Sequence, residues 1–325
     1  MTYQVQFLRG LRIHGFFEIA MKLDIIPVAK IEKRFMDTLK NENLIRFAGR
    51  YKIEILADQD PNEDVPTFLQ ILNGISHSTI KLPGKPWQIK YKYKSSEGIT
   101  NIYLHNEYLT ERPSIIFHHG HGRLNPIHLK LFANKVFFEK FNLFSVKAAH
   151  HDSISALRNK CINTFTNLSC VMCASTLAIN EIIDFHKNNS NKKIAVAGVS
   201  MGGSIAALHY FYFDSADYYF PIISYPNLGE IILDKNIKEF VYNYETVSKN
   251  KSILNSFRIP KELMNKPKNK IVPILANSDE IINFKKASDF WKGYEMVNFN
   301  VGHNTIFIKM EDIRKLILEK IFTKE

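Results

Sequence analysis

The chain is poor in cysteine: three in 325 residues, all within one short segment, Cys161, Cys170 and Cys173. So few thiols, so closely spaced, exclude a disulfide framework. The Cys170–Cys173 spacing matches a redox pair or half of a metal site, yet no second ligand pair follows it. The segment reads instead as a single helix with small apolar side chains turned inward, and neither disulfide nor metal is assigned. Long hydrophobic runs are missing as well. None approaches the roughly 18 apolar residues that span a bilayer. Residues Met1 to Arg9 lack the continuous apolar stretch and small-residue cleavage site of a secretory signal. A cytoplasmic protein is the expectation.

Blocks of one charge are also absent, although the net charge is +11. Residues 1–75 hold ten basic and ten acidic side chains, so the excess lies in 76–325, with 33 basic against 22 acidic. Without a run of Arg and Lys, or a recognisable nucleic-acid module, no nucleic-acid partner is expected. There is no internal repeat and no low-complexity tract. Apolar residues make up 45% and charged residues 23%, a balance that excludes disorder. The length suits one large domain with an elaboration, or two modest ones.

What is present changes character along the chain. Residues 1–75 read as helical, with apolar positions at helical spacing through Phe16, Phe17, Ile19, Ala20 and Leu23, a break at Pro27, then Ile31, Phe35 and Leu39. Residues 58–64 form a polar loop, and 81–86, with two prolines and a glycine, a tight turn or linker. Trp87 to Tyr93 alternates apolar with polar residues like a half-exposed antiparallel strand, and Ile99 to Leu104 is its expected partner. From Pro113 on, short apolar strands (114–118, 143–147, 193–197, 218–224, 271–276 and 296–300) alternate with helix-length segments near 127–141, 161–187, 204–213, 284–291 and 305–322. Such alternation indicates a mostly parallel sheet covered by helices on both faces.

The sharpest chemical signal is Gly198-Val-Ser200-Met-Gly202-Gly203. Gly-x-Ser-x-Gly alone is a short pattern, but here a buried strand precedes it and a helix of small apolar residues follows, the setting a nucleophilic serine requires. The serine must stand at the apex of a strained turn where flanking side chains would collide with backbone. The helix behind it offers unpaired N–H groups and a positive dipole end to a developing oxyanion.

On these residues the chain, from about Trp87 to its C-terminus, resembles the α/β-hydrolase superfamily. The resemblance implies a doubly wound, mostly parallel sheet and a serine hydrolase that needs no cofactor. It implies an oxyanion-hole loop of the His-Gly-x-Gly kind, matched by His119-Gly120-His121-Gly122, with the backbone N–H groups of His121 and Met201 as the donors. It also implies the order serine, acid, histidine. Asp279 follows the apolar strand 271–276, and His303 follows 296–300 and precedes the last helix. Glu280 and Asp289 are the competing acids. His118, His119 and His121 together suggest a metal cluster, but no acidic partner lies nearby and no metal is assigned.

Two segments depart from the bare pattern. Residues 1–80 form an N-terminal helical extension to the hydrolase domain of 81–325, expected to pack on the core rather than anchor to a membrane surface, because 1–75 is charge-neutral. Residues 225–270 are an insertion read as a cap over the pocket. Within it, 235–270 carries nine basic residues against three acidic, interleaved with Phe240, Val241, Tyr242, Tyr244, Ile253, Leu254 and Phe257. Those features suggest an acyl substrate, small-molecule or lipid, with an anionic head or presented at an anionic membrane surface; a solvated lysine-rich face is the plainer reading. The expected activity is hydrolysis of an acyl ester, by a carboxylesterase or a lipid acyl hydrolase. An acyltransferase, a peptidase of the same fold or a non-catalytic binding protein are the alternatives. Substrate, chain length and oligomeric state are not legible at this level.

Overall fold

The computed structural model describes residues 54–121 and 125–323. The expected helices through Phe16 and Leu39 lie outside them. Among the described residues a nine-stranded sheet runs in the order β1-β2-β3-β5-β4-β6-β7-β8-β9. It comprises β1 (Ser76–Ile80), β2 (Trp87–Tyr93), β3 (Ser96–Leu104), β4 (Ser114–His118), β5 (Asn142–Lys147), β6 (Ile194–Val199), β7 (Tyr218–Ile222), β8 (Ile274–Ala276) and β9 (Val297–Phe299). The first three strands and the β3–β5 junction are antiparallel, and from β5 to β9 every pair is parallel. The expected doubly wound sheet, opening on an antiparallel hairpin, is present.

Alternation along the central strands explains the two layers of helix. Ile116 of β4 and Ile194 and Val196 of β6 join one core, with the helices Phe165–Asn189 and Met201–Tyr212. Ile115 and Phe117, with Ala195, Ala197 and Val199, join the other, with Phe132, Phe137, Ile313 and Ile317. Successive side chains point to opposite faces, so a strand buried on both sides must be apolar throughout. All residues of β4 and β6 are buried.

Several local expectations change. The segment near 127–141 is two helices, α2 (Asn125–Phe132) and α3 (Lys135–Lys140), because the Asn134 side chain caps a new start by accepting from Phe137 N at 3.1 Å. The expected helix 161–187 is likewise α4 (Ile154–Lys160) followed by α5 (Phe165–Asn189), with Thr164 capping the second. Cys161 therefore closes α4, and only Cys170 and Cys173 lie on α5; all three thiols are free and buried. Helix α5 does hold an apolar stretch of membrane-spanning length, contrary to the sequence reading, and 78% of that stretch is buried inside the protein. Its apolarity belongs to the core.

Of the expected extension, residues 54–80 are described. Only α1 (Phe68–Gly74) is helix in 54–80, with Thr67 and Gln70 forming a reciprocal capping box. Ser76–Ile80 is strand β1, which its sequence hides: it is an exposed edge with no inward-facing apolar alternation. Residues 54–68 are laced to the insertion. Ile55 N donates to Phe240 O at 2.7 Å, Tyr242 N to Ile55 O at 2.9 Å and Phe68 N to Ser256 O at 2.8 Å. Asn250 Nδ2 donates to Pro61 O and Glu63 O, each at 2.9 Å.

The insertion itself is a chain of short helices: α7 (Leu228–Ile232), α8 (Tyr244–Val247) and α9 (Lys251–Asn255), with 3-10 turns at 235–240, 261–265 and 268–270. Of the apolar residues interleaved with its lysines, Val241, Ile253 and Phe257 are packed into the main core. The Phe257 ring lies 5.3 Å from Phe68 and 5.8 Å from Phe165. Tyr242 and Leu254 are exposed.

Candidate active site

Strand β6 ends at Val199 and helix α6 (Met201–Tyr212) begins at Met201, leaving Ser200 alone to make the turn. It does so at φ 54° and ψ −118°, a left-handed conformation that strains any residue with a Cβ. Ser200 N donates to Ile222 O at 2.9 Å, and Ser204 N closes the first helical turn on Ser200 O at 3.0 Å. The glycines follow from crowding. A Cβ on Gly198 would lie 2.1 Å from Gly202 O, and one on Gly202 would lie 2.2 Å from His118 O. Neither position tolerates alanine, because both obstacles are backbone. Since the first helical bond is made by Ser204, the amides of Met201, Gly202 and Gly203 have no acceptor within their own helix.

Two further loops converge on this turn. Asp279 stands just beyond β8 and His303 just beyond β9. The loops are clipped together: Asn277 N donates to Phe299 O at 2.9 Å, Ser278 N to Val301 O at 3.0 Å, and His303 N to Glu280 Oε2 at 2.9 Å. His303 Nε2 lies 3.0 Å from Ser200 Oγ, and its Nδ1 lies 2.9 Å and 3.0 Å from the two Asp279 carboxylate oxygens. Asp279 Oδ1 also accepts from Ile281 N and Ile282 N at 2.9 and 2.7 Å, which fixes the carboxylate. Nδ1 therefore carries the proton, and Nε2 faces the serine as acceptor. The side chains are 8% and 2% exposed for His303 and Asp279. Burial pushes the His303 pKa down, but the charge and hydrogen bond of Asp279, with Glu280 behind, outweigh it and hold the group above its ordinary 6.5. Of the competing acids, Glu280 binds the His303 backbone and not its ring, while Asp289 sits in helix α10 (Phe284–Phe290) and pairs with Lys285.

The loop after β4 runs against the serine turn: Gly120 is so placed that a Cβ would lie 3.3 Å from Val199 O. His119 Nε2 accepts from Ala148 N at 3.0 Å, so its Nδ1 is protonated and donates to Gly120 O. His121, whose side chain is exposed, stands edge-on to His151 at 5.3 Å. His118 and His151 are buried, with pKa values pushed down to about 3 and about 4 chiefly by that burial. These are neutral imidazoles. Among the described residues, no group of three or more His, Cys, Asp or Glu is arranged to hold a metal ion. A cavity of about 540 Å³ reaches His119 and is lined by Tyr103, Phe117, Leu129 and Phe138, but not by Ser200, Asp279 or His303.

One residue near the site escaped the sequence reading. His128, one turn into α2, accepts a hydrogen bond from Gly120 N at 3.2 Å, and its ring stacks on Phe307 at 5.2 Å. A single histidine on a helix carries no pattern by which to find it.

No protein-family model matches the chain, and no curated protein sequence matches it. Solved structures do. Est1E from Butyrivibrio proteoclasticus superposes with a TM-score of 0.50 at 14% identity, covering 73% of this chain and 99% of that one. The Pyrococcus horikoshii acylaminoacyl peptidase gives 0.49 at 13% identity over 74% of this chain and 42% of its own. An esterase from Pyrobaculum calidifontis gives 0.44 at 15% over 78% and 87%. With the strand order and the strand–turn–helix above, the chain has the α/β-hydrolase fold; at these identities the likeness speaks to the fold alone.

Proposed function

We propose that this protein is a serine hydrolase that cleaves an acyl ester through Ser200, His303 and Asp279. One observation carries the reading: a serine in a strained strand-to-helix turn, 3.0 Å from an imidazole nitrogen whose other nitrogen is held by a buried carboxylate. His303 Nε2 takes the Ser200 proton as Oγ attacks the acyl carbon, then passes that proton to the leaving alcohol. Asp279 holds the tautomer and stabilises the imidazolium. The amides of His121 and Met201 receive the negative oxygen of the tetrahedral intermediate. Water, deprotonated by His303, then releases the acid from Ser200. Every proton in this cycle is carried by His303, so no cofactor enters.

Residues 225–270 serve in this reading as a cap, braced from outside by 54–68. Its exposed Lys249, Lys251, Arg258 and Lys261 favour an anionic substrate or an anionic lipid surface. A cytoplasmic location belongs to the same proposal. The direct test is a chain-length panel of acyl esters with wild type and Ser200→Ala, together with fluorophosphonate labelling. Labelling and turnover that depend on Ser200 support the reading; a protein that neither labels nor turns over any ester ends it.

A further inference from the structure

The Gly120 backbone is gripped on both sides. Its carbonyl accepts from the His119 ring, and its N–H donates to His128 Nδ1. No peptide bond among the described residues is cis, so the N–H of His121 points opposite to the Gly120 carbonyl and away from His119. The bond from the His119 ring fixes the peptide plane that carries this amide, and the bond to His128 fixes the plane before it, so together they hold Gly120 and the direction of the His121 N–H. His119 belongs to the loop itself, whereas His128 reaches in from α2. The opposite contact of His128 is Phe307, four residues beyond His303, in the turn that ends the histidine's loop. A single side chain spans two loops that approach Ser200 from different strands.

Resting on the hydrolase reading above, we infer that His128 is a positioning residue. It couples the loop that presents the His121 amide to the loop that carries His303. Its Nδ1 holds the Gly120 N–H, and its face steadies Phe307. The coupling requires a neutral ring, because a protonated Nδ1 becomes a donor and cannot receive the Gly120 amide. Burial, and then the nearby charge of His303, favour that neutral form by lowering the His128 pKa to about 4. The ring therefore remains an acceptor even when His303 becomes an imidazolium during turnover.

An amide aligned for the oxyanion acts mainly in the transition state, so its misalignment lowers kcat and leaves KM nearly unchanged. His128→Phe keeps a ring for Phe307 and removes the acceptor. His128→Asn removes the ring but keeps an oxygen at the position of Nδ1. With the best ester from the panel, His128→Phe is expected to lose about ten- to a hundredfold in kcat with KM within about twofold. Its affinity for a boronic acid that forms a tetrahedral adduct on Ser200 should weaken by a similar factor. His128→Asn should recover most of both. Unchanged kcat in His128→Phe overturns the inference, and so does an equal loss in both variants, which would mean that only packing matters. Imidazole nitrogen chemical shifts of the wild-type protein test the same point without a substitution. An unprotonated Nδ1 at neutral pH is expected, and a proton on Nδ1 refutes the role even if His128→Phe fails to fold. Fluorophosphonate labelling of wild type separates the two failures. A labelled, active wild type with an indifferent His128 sinks this inference alone, whereas an unlabelled, inactive one sinks the hydrolase reading and the inference with it.

Discussion

The turn at Ser200 and the insertion at 225–270 both hang from the ends of parallel strands, and they are held in opposite ways. The turn is specified by its own few residues and by the backbone of the strands beside it. Gly198 meets the backbone of Gly202, Gly202 meets that of His118 on the adjacent strand, and Ser200 is bonded both to Ile222 and into the helix it starts. The insertion has little local structure to rely on, since its helices run only four or five residues. Helices so short are not stable alone. Its order comes from partners nearly 200 positions away: Pro61, Glu63 and Val65 bind Asn250 and Ser252, and Phe68 packs on Phe257. A strained turn can thus be built by steric exclusion between backbones of adjacent strands, while the insertion depends on the segment that braces it.

Substitutions can separate the two regions, because one should lose activity and the other stability. The largest effect is expected from Ser200→Ala: at least about three decades of turnover lost with little change in melting temperature. Near-wild-type turnover would remove the turn from catalysis. Asp279→Asn should follow, with about two to four decades lost through the wrong imidazole tautomer. Glu280→Gln should cost less, since Glu280 reaches only the His303 backbone, and Asp289→Asn should be almost silent, as an exposed pair with Lys285 contributes little. A larger loss from Asp289→Asn than from Asp279→Asn would reverse the assignment of the acid.

The pH profile sharpens the same side of the comparison. His303 must be neutral to accept the serine proton, and its pKa is held above 6.5. The rate of acylation should therefore fall about tenfold per pH unit below that pKa and level off above it. A rate unchanged from neutral pH down to about 4 would exclude His303 as the base.

For the insertion the prediction is inverted. Phe257→Ala should cost about 3–5 kcal/mol of stability, measured by denaturant unfolding, because the ring is buried between Phe68 and Phe165. Asn250→Ala should cost about 1–2 kcal/mol through two lost bonds to 61–63 and a lost helix cap. Folded fractions of both variants should keep their turnover within a few-fold. If Asn250→Ala abolishes activity while leaving stability intact, the insertion takes part in the chemistry rather than covering it. The smallest effect concerns charge. Changing Lys249, Lys251 and Lys261 to Gln should reduce the salt sensitivity of kcat/KM for an anionic ester and leave a neutral ester of equal length unaffected. Equal salt responses of the two esters in wild type would make these lysines a solvated face only.

The strands, their mostly parallel arrangement and the residues that meet at Ser200 were legible from the sequence because each rests on local physics. Continuous apolar runs report burial on both faces of a sheet, and Gly-x-Ser-x-Gly between a strand and a helix reports a turn that nothing bulkier can make. Strand order carries Asp279 and His303 to the same edge, so position after an apolar run was enough to single them out. The tertiary structure alone decided the rest. The splitting of two long helices depends on whether Asn134 and Thr164 find amides to cap, and β1 exists only because β2 offers it an edge. Val241, Ile253 and Phe257 look the same in sequence whether they line a pocket or fill a core; the return of 54–68 across the insertion settled that they fill it. His128 is the clearest case. A hydrogen bond to Gly120 on one side and a stack on Phe307 on the other join positions eight and 179 residues apart, and no periodicity or spacing encodes a contact that only the folded chain creates.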